Sequence, residues 1–353
     1  MRFPMNTPWG YPDFDAHEAL HFVTDDATGL RAIIAMHSTH LGPAAGGTRF
    51  WHYADDADGL TDALRLSRGM SYKNAMAGLP LGGGKAVVLA NKSRTKTPEM
   101  LAAFGAAVNG LCGKYVTAED VGMSVADMIE ISKQTKFVAG LPVEGGAVGG
   151  DPGPHTSLGV FLGIKAAVRR ALGKDSLAGL HIALQGAGSV AGGVARQAAA
   201  EGAKLSIADV DRTRAENLAA ETGGVVVTPD DILFLEADVV SPCALGAILT
   251  EQSIVRLNAP IVAGGANNQL ATAEDGRRLQ ARGILYAPDY VINAGGIINV
   301  STEFLGDGGP DLVRSRVEAI PGRLDQIWAE SAASDQDPAS VADAMAQKLI
   351  GRR

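Results

Sequence analysis

Cysteine, positive charge and long apolar runs are all scarce in this chain. Its 353 residues include only Cys112 and Cys243 as cysteines, which is too few for a disulfide framework and fits a reducing compartment. Acidic residues outnumber basic ones by 39 to 31, and the net charge of −8 argues against a nucleic acid or an anionic membrane as partner. The sequence contains no uninterrupted apolar stretch of membrane-spanning length and no recognisable signal peptide before Asp15. We therefore expect a cytoplasmic protein.

The chain has the length of two domains and enough apolar residues to fill both cores. Hydrophobic residues make up 46% of it and charged residues 20%, as in ordinary globular proteins. Its 44 glycines cluster in a few places rather than in repeats. These clusters are therefore the first places to look for ligand-binding loops.

Residues 69–88 are the most unusual stretch, because two lysines stand there in an otherwise uncharged, glycine-rich run. Lys73 comes near the end of a predicted helix, and Pro80 with Gly82–Gly84 predicts a turn. Lys85 follows and begins an apolar strand. A lysine shielded from water loses its proton readily, which suits it to act as a general base.

The phosphate-binding loop of nucleotide hydrolases is the obvious alternative for this run. That loop requires glycine five positions before the Gly-Lys pair and a hydroxyl residue after it, whereas Leu79 and Ala86 occupy those places. The alternative is therefore rejected. A plain helix-to-strand turn explains the glycines, but it does not explain two lysines in apolar surroundings.

The lysine run resembles the amino-acid dehydrogenase family that includes the glutamate, leucine, phenylalanine and valine dehydrogenases. The resemblance extends from about Leu30 to about Phe304 and is strongest to the leucine-type members. It implies that Lys73 holds the substrate carboxylate and that Lys85 activates water.

A second pattern, H-E-x-x-H at residues 17–21, matches the zinc peptidases letter for letter. That chemistry needs both histidines on one face of a continuous helix. Phe22 and Val23 instead continue as a strand-like run, and residues 25–29 predict a turn, with the second arm of a hairpin over 29–36. We therefore expect a surface turn that leads into a strand, and no metal.

Residues 41–49 contain another glycine-rich segment, which by itself predicts a loop. The family resemblance implies that the backbone at Gly46 and Gly47 helps to bind the substrate carboxylate, while Ala45 lines the side-chain pocket. The helical spacing of residues 56–70 then leads directly to Lys73.

Two acids follow a short predicted strand at residues 115–117. Acids in such places are common helix caps, and the residues alone do not choose between Glu119 and Asp120. The family motif places the catalytic aspartate at Asp120, which carries a proton to and from the substrate nitrogen.

A domain boundary and hinge are expected at residues 145–154, which contain five glycines and two prolines. The expected fold is α/β with two domains. Residues 1–146 with about 325–353 are expected to bind substrate and to form the oligomer, and residues 147–324 to form a Rossmann domain. The resemblance implies an active site in the cleft between them.

Residues 180–209 carry the βαβ fingerprint of a dinucleotide site. A predicted strand ends in a loop with Gly186 and Gly188, and a second strand ends at Asp209. With Ser189 and Val190, the loop is expected to bring a pyrophosphate to a helix N-terminus. Because a carboxylate at the Asp209 position binds ribose hydroxyls and repels a 2′-phosphate, NAD is favoured over NADP. Arg212 and Arg214 lie nearby, so some use of NADP is compatible with the sequence.

Amides follow the later predicted strands. The resemblance implies that Ala244 and Asn267 lie at the nicotinamide, that Asn293 helps to hold substrate, and that Ile297 and Val300 line the side-chain pocket. Loop amides that satisfy backbone groups are the ordinary explanation. Several of them at successive strand ends favour a ligand crevice.

The resemblance implies reversible, NAD-dependent oxidative deamination of an apolar L-amino acid to a 2-oxo acid and ammonia, by a homo-oligomer. Glutamate-specific relatives carry a lysine at the place of Ala45 and a hydroxyl at that of Val300, so a γ-carboxylate would find no partner here. Leucine and its branched relatives rank first and phenylalanine second. A non-enzymatic NAD sensor is the alternative from another class, although it should lack one of the proposed catalytic groups.

Overall fold

The computed structural model describes residues 7–92, 94–142 and 148–352. It consists of two compact units. Unit 1 comprises Met1–Gly150, Val300–Pro310 and Ala346–Arg353, and unit 2 comprises Asp151–Asn299 and Asp311–Met345. No helix within the described ranges is both long enough and apolar enough to cross a membrane.

The division between the units falls at Gly150, which lies inside the boundary segment expected at residues 145–154. Residues 145–147 of that segment lie outside the described residues. The C-terminal part differs from the expected division. Residues 325–345 belong to unit 2, where Trp328 is buried and its indole N–H donates to the carbonyl of Tyr286 at 2.9 Å. Val300–Pro310 and Ala346–Arg353 belong to unit 1.

Unit 1 is built on one five-stranded sheet. Its strands are β1 Ala19–Asp25, β2 Leu30–Ser38, β3 Ala44–His52, β4 Gly82–Ala90 and β5 Tyr115–Glu119, and its first helices are α1 Asp56–Met76, α2 Pro98–Gly110 and α3 Val125–Ser132. The strand order is β1-β2-β4-β3-β5. β1 and β2 form an antiparallel hairpin, so the hairpin prediction is confirmed, and β3 runs parallel to β4 and β5.

Strand alternation gives this sheet two apolar faces. On one face, Ile33 and Val87 pack with Leu64 of α1. On the other, Ile34 and Val88 pack in a core shared with α2 and α3. The sheet is therefore covered by helices on both sides, and odd-numbered side chains of β4 lie on the α1 face.

Gly82–Gly84 lie inside β4, so the expected turn at these glycines was wrong. The connection from α1 is shorter and uses Gly78, whose φ is +68°. The glycines instead allow close packing, since a Cβ on Gly83 would overlap the backbone nitrogen of Ser71 in α1. A Cβ on Gly84 would come within 2.8 Å of the Tyr115 ring.

The second glycine-rich segment is also a strand from Ala44 onward, rather than the expected loop. A Cβ on Gly46 would overlap the carbonyl oxygen of Gly84, and one on Gly47 would lie 2.6 Å from the carbonyl oxygen of Glu119. Both glycines are therefore required by the close approach of β3 to its two neighbours.

Unit 2 is built on a six-stranded, fully parallel sheet. Its strands are β6 His181–Gln185, β7 Lys204–Ala208, β8 Val225–Val226, β9 Val239–Pro242, β10 Ile261–Val262 and β11 Leu285–Tyr286. The order is β11-β10-β9-β6-β7-β8, so the direction of winding reverses between β6 and β9. The predicted Rossmann arrangement is confirmed, and this reversal is where such sheets bind ligands.

The remaining helices follow in chain order. They are α4 Gly153–Leu172, α5 Ser189–Ala200, α6 Arg212–Thr222, α7 Glu251–Arg256, α8 Glu274–Ala281, α9 Asp289–Ile292, α10 Gly295–Leu305, α11 Pro310–Glu318, α12 Ile320–Ser334 and α13 Pro338–Leu349. Short 3-10 turns occur at Pro8–Gly10 and Ile232–Phe234. Pro321 lies in the first turn of α12, where its missing N–H costs little, and Ala319 separates α11 from α12.

Candidate active site

Lys85 and Asp120 meet at the centre of unit 1. Lys85 lies on β4 with its side chain 7% exposed, and its Nζ is 2.9 Å from Oδ2 of Asp120. Asp120 comes directly after β5, which is separated from β4 only by β3. Glu119 lies at the exposed end of the strand, so the tertiary structure distinguishes the two acids that the residues alone left open.

Burial sets the charge balance of this pair. It lowers the pKa of Lys85 below its ordinary value; Asp120 opposes this effect, and the charge of Arg49 adds to it. For Asp120, burial favours the neutral acid, but the charges of Lys85 and Arg49 outweigh it and hold its pKa below the ordinary value. The site therefore combines an ionised carboxylate with a lysine that gives up its proton more easily than usual.

Arg49 and Asp62 extend the pair into a chain of charges. Arg49 donates through Nε to Asp120 at 3.0 Å and through Nη1 to Asp62 at 2.7 Å. Tyr53 also donates to Asp62, at 2.5 Å. Arg49 lies on β3 and Asp62 on α1, so the chain of charges joins the sheet to the helix that carries Lys73.

Lys73 occupies the last turn of α1 and is half-buried. The next residue, Asn74, donates through its side-chain nitrogen to the carbonyl of Gly82 at 2.6 Å. This hydrogen bond ties the end of α1 to the start of β4. The two lysine-bearing elements are therefore fixed to each other by a buried contact.

The β3 backbone beside Lys85 is irregular. Ala45 pairs with Gly83 and Thr48 with Ala86, but the ladder between β3 and β4 omits Gly46 and Gly47. Tyr115 donates its hydroxyl to the carbonyl of Gly46 at 2.7 Å, and Ala45 is 5% exposed. The candidate site residues Lys73, Lys85, Asp120, Ala45, Gly46 and Gly47 all belong to unit 1.

In unit 2, the glycine loop lies at the reversal point of the sheet. Gly186 follows β6 with a φ of +106°, and a Cβ there would lie 3.2 Å from the Cβ of Ala244, just after β9. Gly188 is the N-cap residue of α5, and within the described structure no side chain caps this N-terminus. A Cβ on Gly188 would meet no atom of the described residues within 4 Å.

The first turn of α5 therefore suits a pyrophosphate. Ser189 and Val190 belong to that turn, so their backbone N–H groups have no partner within the helix. Gly188 and Ser189 are both exposed to solvent. These residues fit the dinucleotide that the fingerprint implies.

Asp209 follows β7 and is held beside the glycine loop. Its Oδ2 accepts from the backbone N–H of Ala187 at 2.7 Å and its Oδ1 from that of Asp211 at 2.8 Å. Arg212 and Arg214 pair with acids of their own helix region, Glu216 and Asp211. The charged group that contacts the glycine loop is therefore the carboxylate of Asp209.

Two asparagines meet at the ends of the later strands. Asn293 donates to Oδ1 of Asn267 at 2.7 Å and to the carbonyl of Gly265 at 3.1 Å. Its own Oδ1 is buried and has no hydrogen-bond donor among the described residues. Ile297 and Val300 are half-buried and one turn apart on α10. The structure brings together two asparagines that the resemblance assigned to different ligands.

Comparison with known proteins identifies the family. Residues 17–137 match the family described as Glu/Leu/Phe/Val dehydrogenase, dimerisation domain, and residues 205–319 match Glutamate/Leucine/Phenylalanine/Valine dehydrogenase. The chain belongs to this family. It is 45% identical to the leucine dehydrogenase of Bacillus subtilis (strain 168), over 95% of this chain and 92% of that protein. The predicted family is confirmed, and the protein is an amino-acid dehydrogenase.

Other relatives differ in the amino acid that they are named for. The valine dehydrogenase of Streptomyces albus is 40% identical, over 96% of this chain and 94% of that protein. The crystal structure of L-tryptophan dehydrogenase from Nostoc punctiforme superimposes with a TM-score of 0.84 and 40% identity, covering 95% of this chain and 96% of that one. Dehydrogenases of this family use NAD or NADP.

The zinc-peptidase pattern does not form a metal-binding helix in this dehydrogenase. Ala19 already belongs to β1, so His17 and His21 do not share a helix face. His17 is 8% exposed, rather than on the surface, and its Nε2 lies 3.0 Å from the carbonyl of Leu64. Across the described ranges, no group of three or more metal-binding side chains is present.

Arg49 and Asp62 are the site residues that the sequence patterns did not single out. Arg49 follows the glycine pair on β3, and Asp62 lies about three helical turns before Lys73, on the same side of α1. That helical spacing is a signal in the sequence. It becomes meaningful only once β3 is known to lie beside β4 and α1.

Proposed function

We propose that this dehydrogenase catalyses the reversible, NAD-dependent oxidative deamination of an apolar L-amino acid, with leucine and its branched relatives as the best substrates. The observation that carries the proposal is the 2.9 Å contact between buried Lys85 and Asp120. It provides a proton acceptor and a carboxylate side by side, as addition of water and departure of ammonia require.

Lys73 pairs with the α-carboxylate of the substrate as a point charge. The backbone at Gly46 and Gly47 contributes hydrogen bonds to the same group. Asn293 helps to hold the substrate. These contacts fix the α-carbon, whose hydride NAD accepts when it is bound.

Lys85 and Asp120 then manage the protons. Neutral Lys85 takes a proton from water as the water oxygen bonds to the α-carbon of the substrate iminium. Asp120 returns to the carbinolamine nitrogen the proton that its ionised carboxylate took from the substrate ammonium before the iminium formed. The C–N bond then breaks and ammonia leaves. The carbinolamine O–H gives its proton to the Asp120 carboxylate, which is ionised again at this point, as the C=O bond forms and leaves the 2-oxo acid. Burial of Lys85 supports this role because it lowers the lysine pKa.

The cofactor is held by unit 2 residues. Gly186, Gly188, Ser189 and Val190 bind the pyrophosphate at the start of α5, while Asp209 accepts from the adenosine ribose. Ala244 and Asn267 contact the nicotinamide end. The carboxylate of Asp209 favours NAD, because it would lie against the extra phosphate of NADP.

Ala45, Ile297 and Val300 contact the substrate side chain. None carries a charge or a hydrogen-bonding group, so a γ-carboxylate would be desolvated without a partner. An aromatic substrate is the second candidate, phenylalanine first. It is favoured by the small side chain of Ala45 and by the similarity to a tryptophan dehydrogenase.

The protein is also proposed to act as a homo-oligomer, since residues 17–137 match a domain described as a dimerisation domain. Light scattering of the purified protein on a sizing column tests this directly. A monomer at working concentrations would contradict it.

A panel of L-amino acids with NAD and with NADP tests the function. We expect NADH formation, followed by absorbance, to be fastest with leucine, isoleucine or valine and negligible with glutamate. A kcat/KM for glutamate within about tenfold of leucine, or about 1.4 kcal/mol, would contradict the apolar pocket. A clear aromatic preference would change only the ranking.

A further inference from the structure

A single oxygen of Asp120 carries both of its ion pairs. Oδ2 lies 2.9 Å from Nζ of Lys85 and 3.0 Å from Nε of Arg49. Among the described residues, no donor is bonded to the other oxygen, Oδ1. The two cations therefore fix the carboxylate by one atom and leave the second for a different contact.

Arg49 is itself held from both sides. While Nε contacts Asp120, Nη1 contacts Asp62 at 2.7 Å, and the Arg49 side chain is 23% exposed. The guanidinium is planar, so its two N–H directions are rigidly related. Arg49 cannot turn away from Asp120 without also losing Asp62.

The packing around Asp120 leaves little other support. A Cβ on Gly47 would come within 2.9 Å of the Cβ of Asp120, so the strand beside it is bare of side chain at this point. Asp120 also follows the end of β5, beyond the ladder to β3. Orientation of the carboxylate therefore depends on its ion pairs rather than on side-chain packing against Gly47.

We propose that Arg49 is a positioning residue, which together with Lys85 clamps Oδ2 of Asp120 so that Oδ1 faces the reacting nitrogen. The inference rests on the proposed proton-transfer role of Asp120. Arg49 touches neither substrate nor cofactor in this scheme. Its contribution is the orientation of the carboxylate and a fixed positive charge beside it.

The charges that face the pair determine the expected pH effect. Asp120 faces Lys85 and Arg49, and Lys85 also senses Asp62. Loss of the Arg49 charge should raise the pKa of Asp120 and that of Lys85 together. Deamination needs ionised Asp120 and neutral Lys85, so both changes move the low-pH limb of kcat/KM to higher pH.

The test compares Arg49→Met, Arg49→Lys and the control Arg65→Met. For Arg49→Met we expect kcat to fall by about 10²-fold and the low-pH limb to move up by about one pH unit, with the dissociation constant of NAD unchanged. Arg49→Lys keeps the positive charge but loses the planar guanidinium that contacts both Asp120 and Asp62. The low-pH limb of kcat/KM should therefore stay near that of the unmodified enzyme, while kcat still falls. Arg65, on α1 and 58% exposed, contacts Asp13 at 3.6 Å, so Arg65→Met should change neither quantity.

A kcat for Arg49→Met within about twofold of the unmodified enzyme would overturn the inference. A lower kcat for Arg49→Met with no change in the low-pH limb of kcat/KM would also overturn it, because that is the result expected for a residue with a merely structural role. If Arg49→Met does not fold, Arg49→Lys decides, since normal kcat in that variant would also overturn it.

Asp120→Asn separates the inference from the function on which it rests. If Asp120→Asn is nearly inactive and Arg49→Met is normal, the role of Asp120 stands and that of Arg49 fails. If Asp120→Asn retains normal turnover, the proposed proton transfer itself is wrong.

Discussion

The groups proposed to bind ligands are of opposite kinds in the two units. In unit 1 the groups are paired charges. Asp120 contacts both Arg49 and Lys85, and the Lys85 side chain is 7% exposed. In unit 2 they are the uncapped N–H groups of α5 and the neutral amides of Asn267 and Asn293. Buried charges shift each other's pKa, whereas backbone N–H groups hold a ligand without titrating. Changes in unit 1 should therefore alter turnover and its pH dependence, and changes in unit 2 should alter nucleotide affinity.

Replacement of Lys85 with alanine should produce the largest effect. Without the general base, kcat should fall by about 10²–10⁴-fold. The dissociation constant of NADH, measured by fluorescence, should stay unchanged because the glycine loop lies in unit 2. Lys133→Ala is the matched control, since that lysine is 59% exposed and, among the residues that the structure describes, pairs only with Glu130 of its own turn. Near-normal turnover in a folded Lys85→Ala protein would remove the proposed base.

Asp209→Ala tests the other side of the comparison. Loss of a charged acceptor should weaken NAD binding by about 1.5–3 kcal/mol, or roughly 10- to 150-fold. The preference for NAD over NADP should become smaller, while kcat at saturating NAD should change little. Asp209→Asn keeps an acceptor for the N–H of Ala187 and should lose less NAD affinity. Equal use of NAD and NADP by the unmodified protein would contradict the role of Asp209.

The pH dependence should reflect the lowered pKa of Lys85. Protonated Lys85 cannot accept a proton, so deamination should slow as pH falls through its pKa, by about tenfold per pH unit. Because burial lowers that pKa, the limb should lie below the ordinary lysine value of 10.5. Amination of the 2-oxo acid needs the protonated lysine and should be fastest at lower pH. Profiles of kcat/KM for deamination, in the unmodified enzyme and for the residual activity of Lys85→Ala, provide the measurement. A low-pH limb that is the same in both proteins would show that Lys85 plays no part.

Gly84→Ala should have the smallest effect, on stability. Its Cβ would press on the Tyr115 ring at 2.8 Å, and such overpacking should lower the free energy of unfolding by about 1–3 kcal/mol. Gly110 lies at the exposed end of α2, and a Cβ added there would meet no atom of the described residues within 4 Å. Gly110→Ala should therefore be neutral or slightly stabilising. Denaturant unfolding of the two variants measures this difference. Equal free energies of unfolding for Gly84→Ala and Gly110→Ala would contradict the packing argument.

Local patterns were sufficient for the elements that need only local rules. The hairpin of β1 and β2 and the βαβ unit around Gly186 were predicted correctly, because alternation and loop glycines are properties of neighbouring residues. The loop expected at residues 41–49 is a strand from Ala44 onward, and the turn expected at residues 82–84 is part of β4. Glycine usually interrupts strands, and only the approach of neighbouring strands and of α1 makes it necessary inside them.

The sequence by itself determined the family, the two kinds of α/β unit and the residue types for the chemistry, because these follow from motifs of short span. Only the tertiary structure decided which groups meet. Asp120 lies 71 residues from Arg49 in the chain, yet the parallel strands β3 and β5 bring their side chains to 3.0 Å. Burial of Lys85, which lowers its pKa, likewise depends on the sheet and α1 closing around it. Desolvation and ion pairing are properties of the packed interior, so no pattern along the chain expresses them.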